Sequence, residues 1–291
     1  MVTHPARRMV ASAVVTVALV AVMLLVPDGV RVYATHMMGA LRAPGEAAFV
    51  AGHRGDRATA PENTMPAFEA AFASGLEFVE TDVQLTADGV PVLMHDDTVD
   101  RTTDGRGAVA DLTVDEIRAL DAGSWYSGDF AGVQVPLLDE FLSALADARK
   151  KALLELKGYW EPDDIRVVVD QIYRHGVQNR VVFASFHLTT VTHLAQVAPA
   201  IPRVIIKRDL PKDPVALAEY YDAIAILTTP TSLSADPDAV ERMHEAGIGV
   251  LVYTLNSEKR WSAALDFGVD GIVTDTPSSL DGWIARTAPG T

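Results

Sequence analysis

From residue 46 onward, short aliphatic runs alternate with helical patterns. The runs are Phe49–Gly52, Phe78–Val83, Ala152–Leu156, Val181–Ala184, Arg203–Ile206, Ala223–Leu227, Val250–Tyr253 and Gly271–Val273. Most are apolar at consecutive positions rather than at every second one, the pattern of a parallel strand covered on both faces. The segments between them carry a helical period. In "TMPAFEAAFASG", Met65, Phe68 and Phe72 share one face and Gly75 ends the pattern. Eight such strands alternating with helices predict an α/β fold, a TIM (β/α)8 barrel, which typically takes about 250 residues. A doubly wound open sheet is the competing architecture, but no G-x-G-x-x-G follows the first strand.

A ninth run, "GVPVLMHD", breaks the alternation, because only "TADG" separates it from the second strand. Asp88-Gly89 favours a two-residue type I′ turn. With Ala87 opposite Val90, that register puts Asp82 across from His95. Val83–Met94 is therefore expected to rise from the second strand and fold back on it. The segment from about 98 to 136 is rich in Gly, Asp and Thr, with one short helix in "TVDEIRAL". It is too long for a simple connection and is expected to be an insertion over the barrel mouth.

Ahead of the barrel the pattern changes. Met9–Val26 carries no charge and has no polar face, and Arg7-Arg8 precedes it. At about 18 residues it sits at the lower edge of what crosses a bilayer. The basic flank favours an N-terminus inside and a body outside. An uncleaved N-terminal transmembrane helix (residues 1–26) with an extracytoplasmic body is the expectation. Secretion after cleavage at "VYA", ending at Ala34, is the alternative. Residues 27–45, with Pro, Gly and no sustained period, read as a linker, and 46–291 as the catalytic barrel.

Composition narrows the function. The formal net charge of −15 over 291 residues argues against nucleic acid as a partner. The absence of cysteine excludes disulfides, thiolate catalysis and zinc–thiolate sites. An acidic protein that handles an anion needs a local source of positive charge.

Ionisable residues gather at the C-terminal ends of the apolar runs, where barrel sites form. They are His53-Arg54, Glu80-x-Asp82, His95-Asp96 and Glu155-x-Lys157. A strand has a period of two, so Glu80 and Asp82 point the same way, as do Glu155 and Lys157. Three inward carboxylates would raise one another's pKa. A hard divalent cation, Ca²⁺ or Mg²⁺, would remove that cost. Two imidazoles beside such a cation suggest phosphoryl chemistry, one taking a proton from the nucleophile and the other giving one to the leaving oxygen. Arg54 and Lys157 would hold phosphate oxygens. A phosphodiester is the natural substrate, because its leaving alcohol needs an acid. Asp96, which could orient His95, and Asp275, at the last strand end, are weaker candidates.

"HRG" with "PENT", then "ETDVQLTADGVPVLMHD", "LDAGSW", "ELKG", "FASFH" and "GIVTDTP" resemble the glycerophosphodiester phosphodiesterase family, in order, from about Phe49 to Pro277. The resemblance implies a TIM barrel with an insertion after the "HD" motif. It also implies hydrolysis of glycerophosphodiesters to sn-glycerol 3-phosphate and an alcohol. By that likeness His53 and His95 are the acid–base pair, Glu80, Asp82 and Glu155 the metal ligands, and Arg54 and Lys157 phosphate contacts. Glu62, of the "PEN" motif, is placed near the metal. Phe186 is assigned to the pocket wall. Tyr253 stands where the family commonly has Trp, lining the glycerol or head-group pocket. Trp125 and Tyr126 of the insertion either close over substrate or pack the insertion down. Two further readings are a lysophospholipase D-type lipid phosphodiesterase, which an apolar surface on the insertion would signal but "LTVDEIRAL" and "SWYSGDF" leave undecided, and an inactive head-group binding protein.

Overall fold

The computed structural model describes residues 37–287. The expected transmembrane segment Met9–Val26 lies outside them, and no helix among the described residues is long and apolar enough to cross a membrane.

Eight parallel strands close into a barrel. They are β1 (Phe49–Gly52), β2 (Phe78–Leu85), β4 (Lys151–Leu156), β5 (Val181–Ser185), β6 (Arg203–Ile206), β7 (Ala225–Thr228), β8 (Gly249–Val252) and β9 (Gly271–Thr274). Each pairs with its neighbours in parallel, and β1 closes the ring by pairing with both β2 and β9. Helices α1 (Met65–Ala73), α3 (Leu138–Ala148), α4 (Pro162–Arg174), α5 (Leu188–Val197), α6 (Pro214–Tyr220), α7 (Pro230–Ala235), α8 (Ala239–Glu245), α9 (Glu258–Asp266) and α10 (Pro277–Thr287) connect successive strands or follow the last. The short α2 (Val114–Arg118) belongs to the insertion and carries a capping box between Thr113 and Glu116.

Alternation along each strand divides the core in two. Val79, Val83, Leu154 and Leu156 pack outward with Phe68, Phe141 and Phe183 against the helices. Phe49, Phe78, Leu153, Val182, Val204, Leu251 and Val273 fill the interior of the barrel. On β2 the inward positions are thus Phe78, Glu80 and Asp82, and on β4 Leu153 and Glu155. On these two strands the low half spends its inward positions on packing and the high half on ionisable groups.

The ninth run forms β3 (Pro91–Leu93), antiparallel to the end of β2, as an excursion rather than a barrel strand. Its register differs from the expected one. Val83 opposes Leu93, Gln84 opposes Val92 and Leu85 opposes Pro91, so Met94, not His95, stands across from Asp82, whose carbonyl accepts from the Met94 N–H. A two-residue type I′ turn needs positive φ at both central residues. Here only Gly89 has it (φ 76°). The loop holds three residues, Ala87 to Gly89, between Thr86 and Val90, and the Thr86 hydroxyl accepts from the Val90 N–H. A local side-chain bond won over the tighter turn, and a one-residue slip followed.

The insertion has its own small core of Val92, Met94, Val99, Val109, Ile117, Ala122 and Val135. The expected linker ends earlier than Gly45. Met37 and Met38 are buried in the barrel interior, and Arg42 and Gly45 bond to Asp270 and Leu265. Two apolar side chains in a short polar stretch give no period to read, so only the packing reveals them.

Candidate active site

A cavity of about 310 Å³ opens at the C-terminal ends of the strands. One half of its wall is His53, Arg54, Glu80, His95 and Glu155; the other includes Phe186, Arg208 and Tyr253, over a floor of Leu153, Ala184, Ile206, Leu227 and Val273.

The three carboxylates meet because the parallel register aligns them. Asp82 lies directly opposite Glu155, and Glu80 is one inward position below Asp82. One oxygen from each lies within 4.8 Å of the others, and all three residues are buried. Burial and the neighbouring Asp82 and Glu155 charges push Glu80 well above the ordinary carboxylate range. Burial, then Asp82, pushes Glu155 up to about 7, against the pull of Lys157 and Arg54. This is the electrostatic signature of a site short of positive charge. Oxygen donors in a tight buried group suit a hard divalent cation.

Two cations already border the cluster. Lys157 Nζ lies 2.8 Å from Glu155 Oε1 and 3.4 Å from Asp82 Oδ1. Arg54 Nε lies 3.4 Å from Asp82 Oδ2, and the Arg54 backbone N–H donates to Glu80 Oε2 at 2.8 Å. Burial works to lower the Arg54 pKa but is outweighed by Asp82, Glu62 and Glu80, which raise it. Arg54 sits at φ 56° and Gly55 at φ 84°. A Cβ on Gly55 would come within 2.7 Å of the Ala67 carbonyl carbon. Only glycine lets the β1 turn lie this close to α1, which is the physical content of "HRG".

The two histidines are held alike. His53 Nδ1 lies 2.6 Å from Asp275 Oδ1, and His95 Nδ1 lies 2.7 Å from Asp96 Oδ1. Each carboxylate therefore fixes the ring so that Nε2 is left for the cavity. Asp275 also accepts from Asn256 Nδ2, and Asp96 from Arg101. Burial is the largest influence on His53 and lowers its pKa, although the Asp275 hydrogen bond opposes it. His95 reaches the cavity despite the slipped register because β3 ends at Leu93 and strand geometry no longer binds it.

Glu62 does not join the acidic cluster. Its carboxylate is held by Arg54 at 2.6 Å, Arg57 at 2.9 Å and Arg101 at 2.7 Å. Burial works to raise its pKa, but Arg101, Arg54 and Arg57 bring it down to about 2. The placement near a metal is thus corrected: three guanidiniums already satisfy it, and it positions Arg54. Asn63 fills the role closer to the cluster, donating to Asp82 Oδ2 at 2.9 Å and accepting from Thr81 at 2.7 Å.

Phe186 and Tyr253 form an edge-on pair on the cavity wall, with ring centroids 6.1 Å apart. The buried Tyr253 hydroxyl has no hydrogen-bond partner among the described residues. Trp125 and Tyr126 are tied to the protein, Trp125 Nε1 to the Ala122 carbonyl and Tyr126 OH to the Ala58 carbonyl. They pack the insertion down and do not line the cavity. Sequence reasoning missed Arg57, Arg101 and Arg208. A lone arginine in a loop carries no signal until its carboxylate or cavity is known.

Comparison with known proteins meets this geometry from outside. The Glycerophosphoryl diester phosphodiesterase family profile matches residues 53–279. A glycerophosphodiester phosphodiesterase of Caldanaerobacter subterraneus is 33% identical over 79% of this chain and 95% of its own length. One of Bacillus altitudinis is 32% identical over 77% of this chain and 93% of its own. The solved structure of an Oleispira antarctica phosphodiesterase, in complex with the product sn-glycerol-3-phosphate, superposes with a TM-score of 0.78 at 30% identity. That match covers 81% of this chain and 96% of the other. A barrel with this rim, matched across nearly all of its described length, belongs to the glycerophosphoryl diester phosphodiesterase family and is a phosphoric diester hydrolase.

Proposed function

We propose that the chain hydrolyses glycerophosphodiesters to sn-glycerol 3-phosphate and an alcohol, with His53 and His95 as acid and base and a divalent cation held by Glu80, Asp82 and Glu155. The convergence of those three buried carboxylates beside two carboxylate-oriented imidazoles carries the reading. A bound Ca²⁺ or Mg²⁺ would neutralise the carboxylates and withdraw charge from the phosphate oxygens.

The chain's own residues supply the rest. Arg54 and Lys157 flank the cluster and would hold the non-bridging phosphate oxygens as negative charge builds. His53, buried and lowered in pKa, is suited to be neutral and to accept a proton from the nucleophile, either water or a hydroxyl of the substrate itself. His95, nearer solvent, then gives its Nε2 proton to the leaving alcohol oxygen. Asp275 and Asp96 each face Nδ1, so that Nε2 of the neutral His53 ring would take the proton and Nε2 of a protonated His95 ring would give one. Phe186 and Tyr253 form the wall against which one of the two alcohol substituents would pack.

The insertion favours small water-soluble diesters over lysolipids. Its apolar side chains turn inward to their own core, and the exposed Trp125 and Tyr126 are hydrogen-bonded to backbone. The sequence of Met9–Val26 supports an N-terminal membrane anchor with the barrel outside the cytoplasm. The test is hydrolysis of glycerophosphocholine, glycerophosphoethanolamine and lysophosphatidylcholine under titration of Ca²⁺ and Mg²⁺. Turnover of the first two that rises with cation and vanishes with chelator is expected. Turnover unaffected by chelation would remove the cation from the mechanism.

A further inference from the structure

Two of the guanidiniums around Glu62 each reach onward to a carboxylate that holds a histidine ring. Arg101 spans one side. Its Nε and Nη2 donate to Asp96 Oδ2 and Oδ1 at 2.6 and 3.1 Å, and its Nη1 and Nη2 donate to Glu62 Oε2 and Oε1 at 3.1 and 2.7 Å. Asp96 Oδ1 is the atom that faces His95 Nδ1. Arg57 spans the other side, with Nη2 2.9 Å from Glu62 Oε2 and Nη1 3.5 Å from Asp275 Oδ1. Asp275 Oδ1 is the atom that faces His53 Nδ1. Anion and cation thus alternate from Asp275 through Arg57, Glu62 and Arg101 to Asp96, with an imidazole at each end.

Isolated exposed ion pairs hold side chains only weakly. This series differs at its centre. The Glu62 side chain is 2% exposed, against 28% for Arg57 and 42% for Arg101. A buried carboxylate among guanidiniums cannot release one of them without leaving charge poorly compensated in a low dielectric. Arg101 is bidentate to both of its partners, which fixes the angle between them as well as the distance. The Asp96 side chain is 31% exposed, and this grip on both of its oxygens keeps it from turning away from His95. The members come from the β1–α1 loop, the start of the insertion and the residues just after β3 and β9. The insertion is thereby part of the catalytic frame, because it brings Arg101.

We propose that Glu62 is a shared positioning residue for both imidazoles, acting on His53 through Arg57 and Asp275 and on His95 through Arg101 and Asp96. It rests on the acid and base roles proposed above for the two histidines, and adds the group that keeps them in register. The Glu62 carboxylate is taken up by Arg54, Arg57 and Arg101 rather than by either ring. One buried side chain therefore sets both proton-transfer groups and one of the cations assigned to the phosphate. A base and an acid serving one phosphorus must keep their separation as charge moves, and a misplacement of about 1 Å can cost on the order of 10²-fold in rate.

The two arms can be read separately. Ring protons in short hydrogen bonds to carboxylates give far-downfield signals in NMR spectra of histidine-¹⁵N-labelled full-length protein without substrate. The two signals are assigned by their loss in His53→Ala and His95→Ala. Arg101→Gln should move the His95 signal and leave that of His53, and Arg57→Gln should do the reverse. Glu62→Gln should move both. Glu62→Asp, which keeps the charge on a side chain one methylene shorter, should move both by less, and keeps the test open where the glutamine variant does not fold. In turnover, Arg101→Gln should lower kcat for glycerophosphocholine about tenfold or more, but less than about threefold for a 4-nitrophenyl diester of glycerol phosphate, whose phenol leaves without a proton. Arg57→Gln should lower both alike, because His53 serves the nucleophile. Arg101→Lys keeps the charge but cannot make two forks, and should not restore turnover. Signals unmoved in both Glu62 variants, equal losses on the two diesters in Arg101→Gln, or full recovery by lysine overturns the proposal. A wild-type protein that turns over neither diester overturns the phosphodiesterase reading instead, while the ring signals still decide whether Glu62 reaches both histidines.

Discussion

His53 and Asp275, 222 residues apart, are joined at 2.6 Å because β1 and β9 are neighbours in the closed ring. Closure of the barrel is what orients the first imidazole. The second is oriented locally, by the adjacent Asp96.

These two pairings predict a hierarchy. His53→Ala and His95→Ala should each lower kcat by ~10²–10⁴-fold, the usual contribution of a general acid or base, with the circular dichroism spectrum unchanged. Asp275→Asn should keep the ring near its place but favour the wrong tautomer, lowering kcat more than it raises KM. Wild-type kcat in both alanine variants would refute the assigned pair.

The acidic cluster predicts linkage between cation and proton. Glu155 and Glu80 have folded pKa values above their unfolded ones, so the metal-free folded state holds extra protons, in the case of Glu155 between about pH 4.5 and about 7. Metal-free stability should therefore fall as pH rises through that window, the opposite of a salt-bridged carboxylate. Cation binding should release protons at pH 6, measurable by calorimetry in buffers of different ionisation enthalpy. Glu155→Gln should raise the metal-free Tm at pH 8 and abolish cation binding.

Glu62 predicts the opposite sign. Its folded pKa, about 2, is below the unfolded value of 4.5, so its contribution is present above pH 4.5 and lost as pH falls towards 2. Glu62→Gln leaves three guanidiniums around a neutral amide and should cost ~3–5 kcal/mol at pH 7. The difference from wild type should shrink on acidification in urea titrations at pH 7, 4 and 3.

Tyr253 predicts a trade between stability and binding. Its buried hydroxyl lacks a partner among the described residues, at a cost of ~1–3 kcal/mol. Tyr253→Phe should raise the Tm of the ligand-free enzyme. It should also raise KM for diesters if substrate supplies the missing partner, and an unchanged KM would place that hydroxyl outside the substrate's reach.

Periodicity along the chain was enough to locate the strands. Parallel strands buried on both faces must be apolar at consecutive positions, so the runs at Phe49–Gly52 and Arg203–Ile206 coincide with β1 and β6 to the residue. The same logic placed Glu80, Asp82 and Glu155 inward, because a period of two is a local property. The β2–β3 register was not legible, since the Thr86 hydroxyl chose a three-residue loop that dipeptide preference does not reveal.

The amino-acid order by itself determined the barrel, the inward carboxylates and the family, because each follows from spacing within a few residues or from long motifs. Tertiary structure alone decided that Asp275 serves the His53 ring, that Glu62 belongs to three arginines, and that Met37 and Met38 pack inside the barrel. Those pairings join residues brought together only when the chain folds, and a linear pattern holds no record of which of them will meet.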